Sequence, residues 1–90
     1  MPKKELIDDL NKNLCLFIKK KYFSPFKING EIVSQNKYAA ACNLAKSTIS
    51  KINNAEGYDI PVSTIYLITK LEGKRLESFF REFSEWLETD

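Results

Sequence analysis

The segment SQNKYAAACNLAKSTISKINN, residues 34–54, is the most informative part of this chain of 90 residues. It predicts two short helices, residues 35–42 and 46–54, joined by a tight turn. Ser34 is a residue type favoured at helix N-caps, because its hydroxyl can accept a hydrogen bond from the first turn. Asn43 stands in the turn, where a positive φ is needed, and asparagine tolerates that conformation better than most residues. The pattern therefore predicts a closely packed pair of helices.

The second helix of this pair has one apolar and one polar side. At about 100° per residue, Ile49 and Ile52 fall within about 60° of each other and predict the buried side. The opposite side has two cations, short hydrogen-bonding side chains and no acid: Lys46, Ser47, Ser50, Lys51 and Asn54. Lysine can donate to guanine O6 and N7, and hydroxyls can reach base edges or phosphates, so this side suits a major groove. A polar surface helix without a partner is the alternative that the pattern leaves open.

Three further helices are predicted outside this pair. Apolar residues at steps of three and four predict a helix over residues 4–22. Its predicted inner stripe consists of Leu6, Leu10, Leu14, Phe17 and Ile18, with Ile7 beside it. Another helix is predicted over residues 62–71, with Pro61 or Ser63 at its start and Gly73 after its end. The fifth follows the stripe of Leu76, Phe79, Phe80, Phe83 and Leu87.

Residues 23–33 interrupt the helical pattern. They contain Asn29-Gly30 between apolar residues at alternating positions, which is a signal for a hairpin with a type I′ turn. Two strands this short are not stable alone and must lean on the core.

Charge is unevenly divided along the chain, although the net value is only +2. Residues 1–55 hold ten lysines and four acidic residues, a charge of +6. Residues 56–90 hold four basic and eight acidic residues, a charge of −4. A basic front and an acidic rear suit a domain that turns one face to a polyanion. Two ordinary solvated faces are the alternative.

The composition argues against an enzyme. The chain has no histidine, and its two cysteines, Cys15 and Cys42, are too far apart to form a metal-binding pair, so no cofactor is expected. It shows no phosphate-binding glycine loop and no nucleophile with a matching base. With no apolar run of about 20 residues and no secretory signal, we expect one cytoplasmic domain with reduced thiols and no membrane contact.

Residues 34–54 resemble, without a gap, the Cro/repressor-type (XRE-like) helix-turn-helix family. Ser34-Gln35 is similar to the family's opening of the second helix, Asn43 takes the place of its turn glycine, and Ala45 replaces its usual Ser or Thr cap. The further matches are Ala39, Leu44, the run Ser47-Thr48-Ile49-Ser50-Lys51-Ile52, and Pro61 with Ile65, Ile68 and Leu71. The resemblance implies an all-α fold, a five-helix lambda-repressor-like DNA-binding domain with its helix-turn-helix at residues 34–54.

The same resemblance implies a function and residue roles. The expected activity is sequence-specific binding of double-stranded DNA, with regulation of transcription by occupancy. The residues expected at base edges are Lys46, Ser47, Thr48, Ser50 and Lys51. Gln35 and Asn54 are expected to contact backbone phosphates.

The aromatic residues of the last helix indicate a protein–protein contact. Phe83, Trp86 and Leu87 lie near the chain end, where a small domain has little left to cover them, so a homodimer contact is predicted there. The alternative is that they fold back against the first helix. Two other functions stay open: a protein-interaction module on the same fold, and an antitoxin-type regulator whose acidic, aromatic last helix binds a toxin-like protein.

Overall fold

The computed structural model describes residues 3–89, with side-chain surroundings from residue 5 onward. Within that part of the chain lie five helices: α1 (Lys3–Tyr22), α2 (Gln35–Cys42), α3 (Lys46–Asn54), α4 (Val62–Leu71) and α5 (Leu76–Glu88). A two-stranded antiparallel sheet, β1 (Lys27–Ile28) and β2 (Glu31–Ile32), lies between α1 and α2. The predicted helical fold class is thus confirmed as a mostly helical, five-helix arrangement.

The core forms around the C-terminal half of α1. That helix packs against α3 and α5, while α2 packs against α3 and α4, and α4 against α5. The largest side chains at the centre are fully buried, and they come from all of these helices: Ile18, Tyr38, Ile49, Ile52, Ile65, Ile68 and Phe79. Burial of this apolar surface is the main favourable contribution to folding.

Local signals set most helix ends where the sequence predicts them. The Ser34 hydroxyl accepts a hydrogen bond from the Lys37 amide at 3.1 Å, which caps α2. Asn43 ends α2 with φ 60°, the left-handed conformation expected of it. Ser63 does not cap α4, because the N-cap is Pro61 and helical bonding starts from the Pro61 carbonyl. That alternative for the start of α4 was wrong.

The hairpin between α1 and α2 is present and leans on the core as expected. Asn29 and Gly30 have φ values of 52° and 82°, the pair of positive angles that a type I′ turn requires. The Val33 amide donates to the Phe26 carbonyl at 2.9 Å. The Phe26 ring lies 5.1 Å from the ring of Tyr38, so the hairpin is held against α2.

The first turns of α1 differ from the prediction. Leu14, Phe17 and Ile18 are buried, but Leu6 and Leu10 are 61% and 47% exposed, so they do not belong to the core. Residues 5–10, hereafter the α1 arm, are all exposed. The reason is the length of α5: it lies along α1 with Glu82 at Lys21 and Trp86 at Phe17, and it ends before it reaches the arm.

None of the helices in residues 3–89 combines the length and the apolar character needed to cross a membrane.

Candidate nucleic-acid interface

Helix α3 is fixed firmly by its inner side. Ile49 and Ile52 are completely buried, as their spacing predicts. The left-handed conformation of Ala55, with φ 54°, ends the helix, and the Ala55 amide donates to the Ile52 carbonyl at 3.0 Å. At the other end Ala45 occupies the N-cap without a side-chain hydrogen bond, as expected for alanine. The helix therefore depends on tertiary packing for its position.

The outer side of α3 brings the predicted base-contact residues onto one surface. Lys46, Ser47 and Lys51 are exposed, while Thr48 and Ser50 are half-buried at the margins. These residues project away from the buried isoleucines, in the arrangement that the helical period predicts.

The two predicted phosphate contacts lie at helix ends. Asn54 is the last residue of α3 and is exposed, whereas Gln35 is the first residue of α2 and is half-buried. Lys37, also exposed in the first turn of α2, was missed by the sequence analysis. Gln35, two residues earlier, was identified only through the family resemblance, and Lys37 was not among the residues of that resemblance.

The cations of this surface are not neutralised by nearby acids. In residues 5–89 the ion pairs are Lys21–Glu82 at 3.2 Å, Lys74–Glu82 at 3.5 Å and Arg75–Glu77 at 3.5 Å. All three involve α5, on the acidic part of the chain. The first turns of α2 and α3 contain no acidic residue. Among the described residues, the lysines on the outer side of α3 are therefore in no ion pair.

An aromatic ring orients one of these lysines. The Lys51 ammonium lies 5.4 Å from the centre of the Tyr58 ring, a cation–π distance. This contact restricts the side chain without removing its positive charge. Tyr58 lies in the loop after α3, and its spacing in the sequence gives no signal for the contact.

A buried hydrogen bond holds α2 to the end of α4. The Tyr38 hydroxyl donates to the Glu72 carboxylate, and Tyr38 is completely buried. Burial, and then the bond to Glu72, raises the pKa of Tyr38 far above its ordinary value. The hydroxyl therefore keeps its proton at physiological pH, and its bond ties α2 to the end of α4.

Both thiols are buried and free, as expected for reduced apolar cysteines. Burial, and then the charge of Glu72, raises the pKa of Cys42 to about 11. Burial also raises the pKa of Cys15, whose thiol donates to the Tyr58 carbonyl at 3.4 Å. A protonated, buried thiol is a poor nucleophile, so these residues support packing rather than chemistry. Among the described residues no group of three potential metal ligands is found.

Two of the three residues predicted as a dimer contact on α5 pack against the interior of their own chain. Phe83 is buried, with its ring 5.3 Å from that of Phe17, so it is a core residue with little surface left for a partner. Trp86 is half-buried against the same ring at 5.5 Å. These two follow the alternative of folding back against the first helix, and Leu87 is the exposed member of the set.

The chain matches no family model, no curated protein and no solved structure.

Proposed function

We propose that this protein binds double-stranded DNA by placing α3 in the major groove, as a helix-turn-helix regulator of the Cro/repressor type. One observation carries the proposal. A helix anchored by two completely buried isoleucines presents an outer side with two unneutralised lysines, short polar side chains and no acid. An anchored helix of this composition can enter a groove without losing its packing and without electrostatic repulsion.

The roles on α3 follow from side-chain reach. Lys46 and Lys51 are long enough to donate to purine acceptors on base edges, and Lys51 is already restricted by Tyr58. Ser47 and Ser50 are short, so their hydroxyls suit close contact with base edges or phosphates, with Thr48 at the margin.

The neighbouring helix ends suit backbone phosphates. The first turn of α2 offers free backbone amides, the positive end of the helix dipole and the exposed Lys37. Gln35 can donate to a phosphate at the same end, and Asn54 can do so at the end of α3. These contacts would fix the position of α3 along the duplex.

The charge distribution of the chain supports this orientation. The ion pairs of the described residues lie around α5, and the acidic residues of the chain concentrate in residues 56–90. The side that carries α2 and α3 therefore faces DNA, and the acidic side faces solvent or a protein. Occupancy of a site near a promoter would then change transcription.

Fluorescence anisotropy with a labelled duplex of random sequence, at low and at raised salt, tests the proposal. We expect binding that weakens steeply with salt, because lysines that contact phosphates release counterions. Lys46→Ala and Lys51→Ala should each weaken binding. If the replaced lysine contacts a phosphate, the slope of log K against log salt concentration should become smaller by about 0.9. Arg81→Ala, which removes an exposed cation from α5, is the matched control and should have little effect.

Selection of bound duplexes from a random pool then tests sequence specificity. Enrichment of one motif, lost in a variant with both lysines replaced, would support readout by α3. If the wild-type protein binds no duplex at low salt, the protein-interaction module is the better interpretation. Equal weakening by Arg81→Ala would show that net charge, not α3, is responsible.

A further inference from the structure

A second surface of the molecule is exposed but apolar. The α1 arm presents Leu6, Ile7 and Leu10, which are 61%, 54% and 47% exposed. The arm continues the helix of α1, and none of its side chains is buried. Exposed apolar side chains are common singly, whereas three on adjacent turns of one helix form a patch.

The apolar side of the arm continues along α1 into a cleft. At about 100° per residue, Leu6, Leu10, Asn13, Phe17 and Lys20 lie within about 80° of one another, on one face of the helix. This set is called the α1 face below. At its C-terminal end Phe17 and Lys20 line an open cleft of about 220 Å³ together with Lys21 and Trp86. The half-buried Asn13 lies between the arm and the cleft.

The two ends of the α1 face carry opposite charges. Two acids beside this face, Glu5 and Asp9, lie on the arm, whereas Asp8 lies on the opposite side of the helix. Lys19, Lys20 and Lys21 form the last turn beside the cleft. Only Lys21 of these lysines is paired with an acid among the described residues, through Glu82 at 3.2 Å. Glu5, Asp9 and Lys20 lie along the same edge of the α1 face, by the same helical period.

We propose that the α1 face binds the α1 face of a second copy of this chain, antiparallel, about a two-fold axis near Asn13. In that arrangement the leucines of each arm lie against the cleft of the other copy. Lys20 of each copy lies between Glu5 and Asp9 of the other. The two Asn13 side chains meet at the axis, where a polar pair fixes the register of packed helices. Residues 5–21 would then pair over about 24 Å, at 1.5 Å per residue.

A second copy fits better than other occupants because both complementary halves lie on the same helix. An isologous interface requires a surface that complements itself after a two-fold rotation, and the α1 face has that property in charge. Its apolar complement is the cleft, where Trp86 of α5 lies beside the buried Phe17. This inference goes beyond DNA binding and does not depend on it.

Sedimentation equilibrium of the full chain tests the proposal. Wild-type protein should be a dimer, and Leu6→Ser with Leu10→Ser should raise the dissociation constant by about 100-fold, since each leucine loses apolar burial. The matched control replaces two exposed apolar residues of α4, Val62→Ser with Tyr66→Ser, and should leave the dimer intact. Circular dichroism should show folded protein for both double variants, because all four side chains are exposed in the monomer.

A charge exchange tests the antiparallel arrangement itself. The arm variant, Glu5→Lys with Asp9→Lys, and the cleft variant, Lys20→Glu, should each weaken self-association. An equal mixture of the two should recover a tight dimer, because each arm then meets a cleft of opposite charge in the other copy. No effect within a single chain can produce that recovery.

Four results would overturn the proposal: a monomeric wild-type protein, a dimer that survives the leucine replacements, a dimer lost instead through Leu87→Ser on α5, or absence of recovery in the mixture. A monomer that binds vesicles of anionic lipid would assign the arm to a membrane surface and would also overturn it. Each readout is made without DNA, so failure of DNA binding leaves the result unchanged.

Discussion

The outer side of α3 and the α1 arm are both exposed helical surfaces, yet they differ in every physical property that decides what can bind them. The outer side of α3 is cationic and polar, and its helix is fixed from behind by Ile49 and Ile52. The arm is apolar and acidic, and it has no buried residue behind it. A fixed cationic surface suits a charged, preformed partner such as DNA. An unsupported apolar surface suits a partner that supplies the missing core.

Replacement of a buried isoleucine should separate the two regions most strongly. Ile49→Ala leaves a cavity beneath α3 and should lower the free energy of unfolding by about 2–5 kcal/mol. Leu10→Ala, on the arm, should lower it by less than about 1 kcal/mol in dilute protein, because that side chain is exposed in one chain. Urea unfolding followed by circular dichroism measures both. Equal losses in dilute protein would show that the arm is packed as firmly as α3.

The difference between the two variants should depend on protein concentration. If the arm pairs with a second copy, the loss caused by Leu10→Ala should grow with concentration, since association adds to stability. The loss caused by Ile49→Ala should change little.

A cap should stabilise α3 without touching its outer side. Ala45 has the extended backbone of an N-cap, with φ −66° and ψ 145°, but no side chain that can accept a hydrogen bond. Ala45→Ser should raise the free energy of unfolding by about 1 kcal/mol. Thermal unfolding measures the gain, and Ala45→Val, which offers no hydroxyl and is a poor N-cap, is the control. A serine variant no more stable than the valine variant would show that the cap geometry is not used.

Acid should lower the free energy of unfolding slightly through Glu82. Partial burial opposes ionisation of Glu82, but hydrogen bonds and charge from Lys21 and then Lys74 lower its pKa below the ordinary value of 4.5. The folded state therefore binds protons less readily, and this part of the stability is present above pH 4.5 and lost as pH falls through the lowered pKa. Urea unfolding at several acidic pH values should show that the free energy of unfolding depends less on pH in Glu82→Gln than in wild type. Identical pH profiles would contradict this role of Glu82.

Much of α2 and α3 can be predicted from sequence because local chemistry sets their ends. Ser34 caps α2, and Asn43 takes the left-handed conformation at the turn. The period of Ile49 and Ile52 separates the buried from the exposed side. Each of these signals acts within a few residues, so no knowledge of distant elements is needed.

The arm and α5 could not be predicted in the same way. Periodicity reports which side of α1 carries Leu6 and Leu10, but burial depends on where α5 ends in space. For the same reason an aromatic stripe cannot distinguish Phe83, which is buried in its own chain, from a residue that meets a partner. The contact of Lys51 with Tyr58 depends on the path of a loop, which has no period.

Continuity of α1 from Lys3 to Tyr22 has a consequence for operator architecture. The helix α1, which packs against α3, also carries the surface proposed to join two copies. If both proposals hold, the distance between the two groove-reading helices is built into a single stiff element and not into a linker. A change of one base pair between half-sites rotates one relative to the other by about 34–36°, given 10–10.5 base pairs per turn. Such a dimer would accept one spacer length and reject its neighbours.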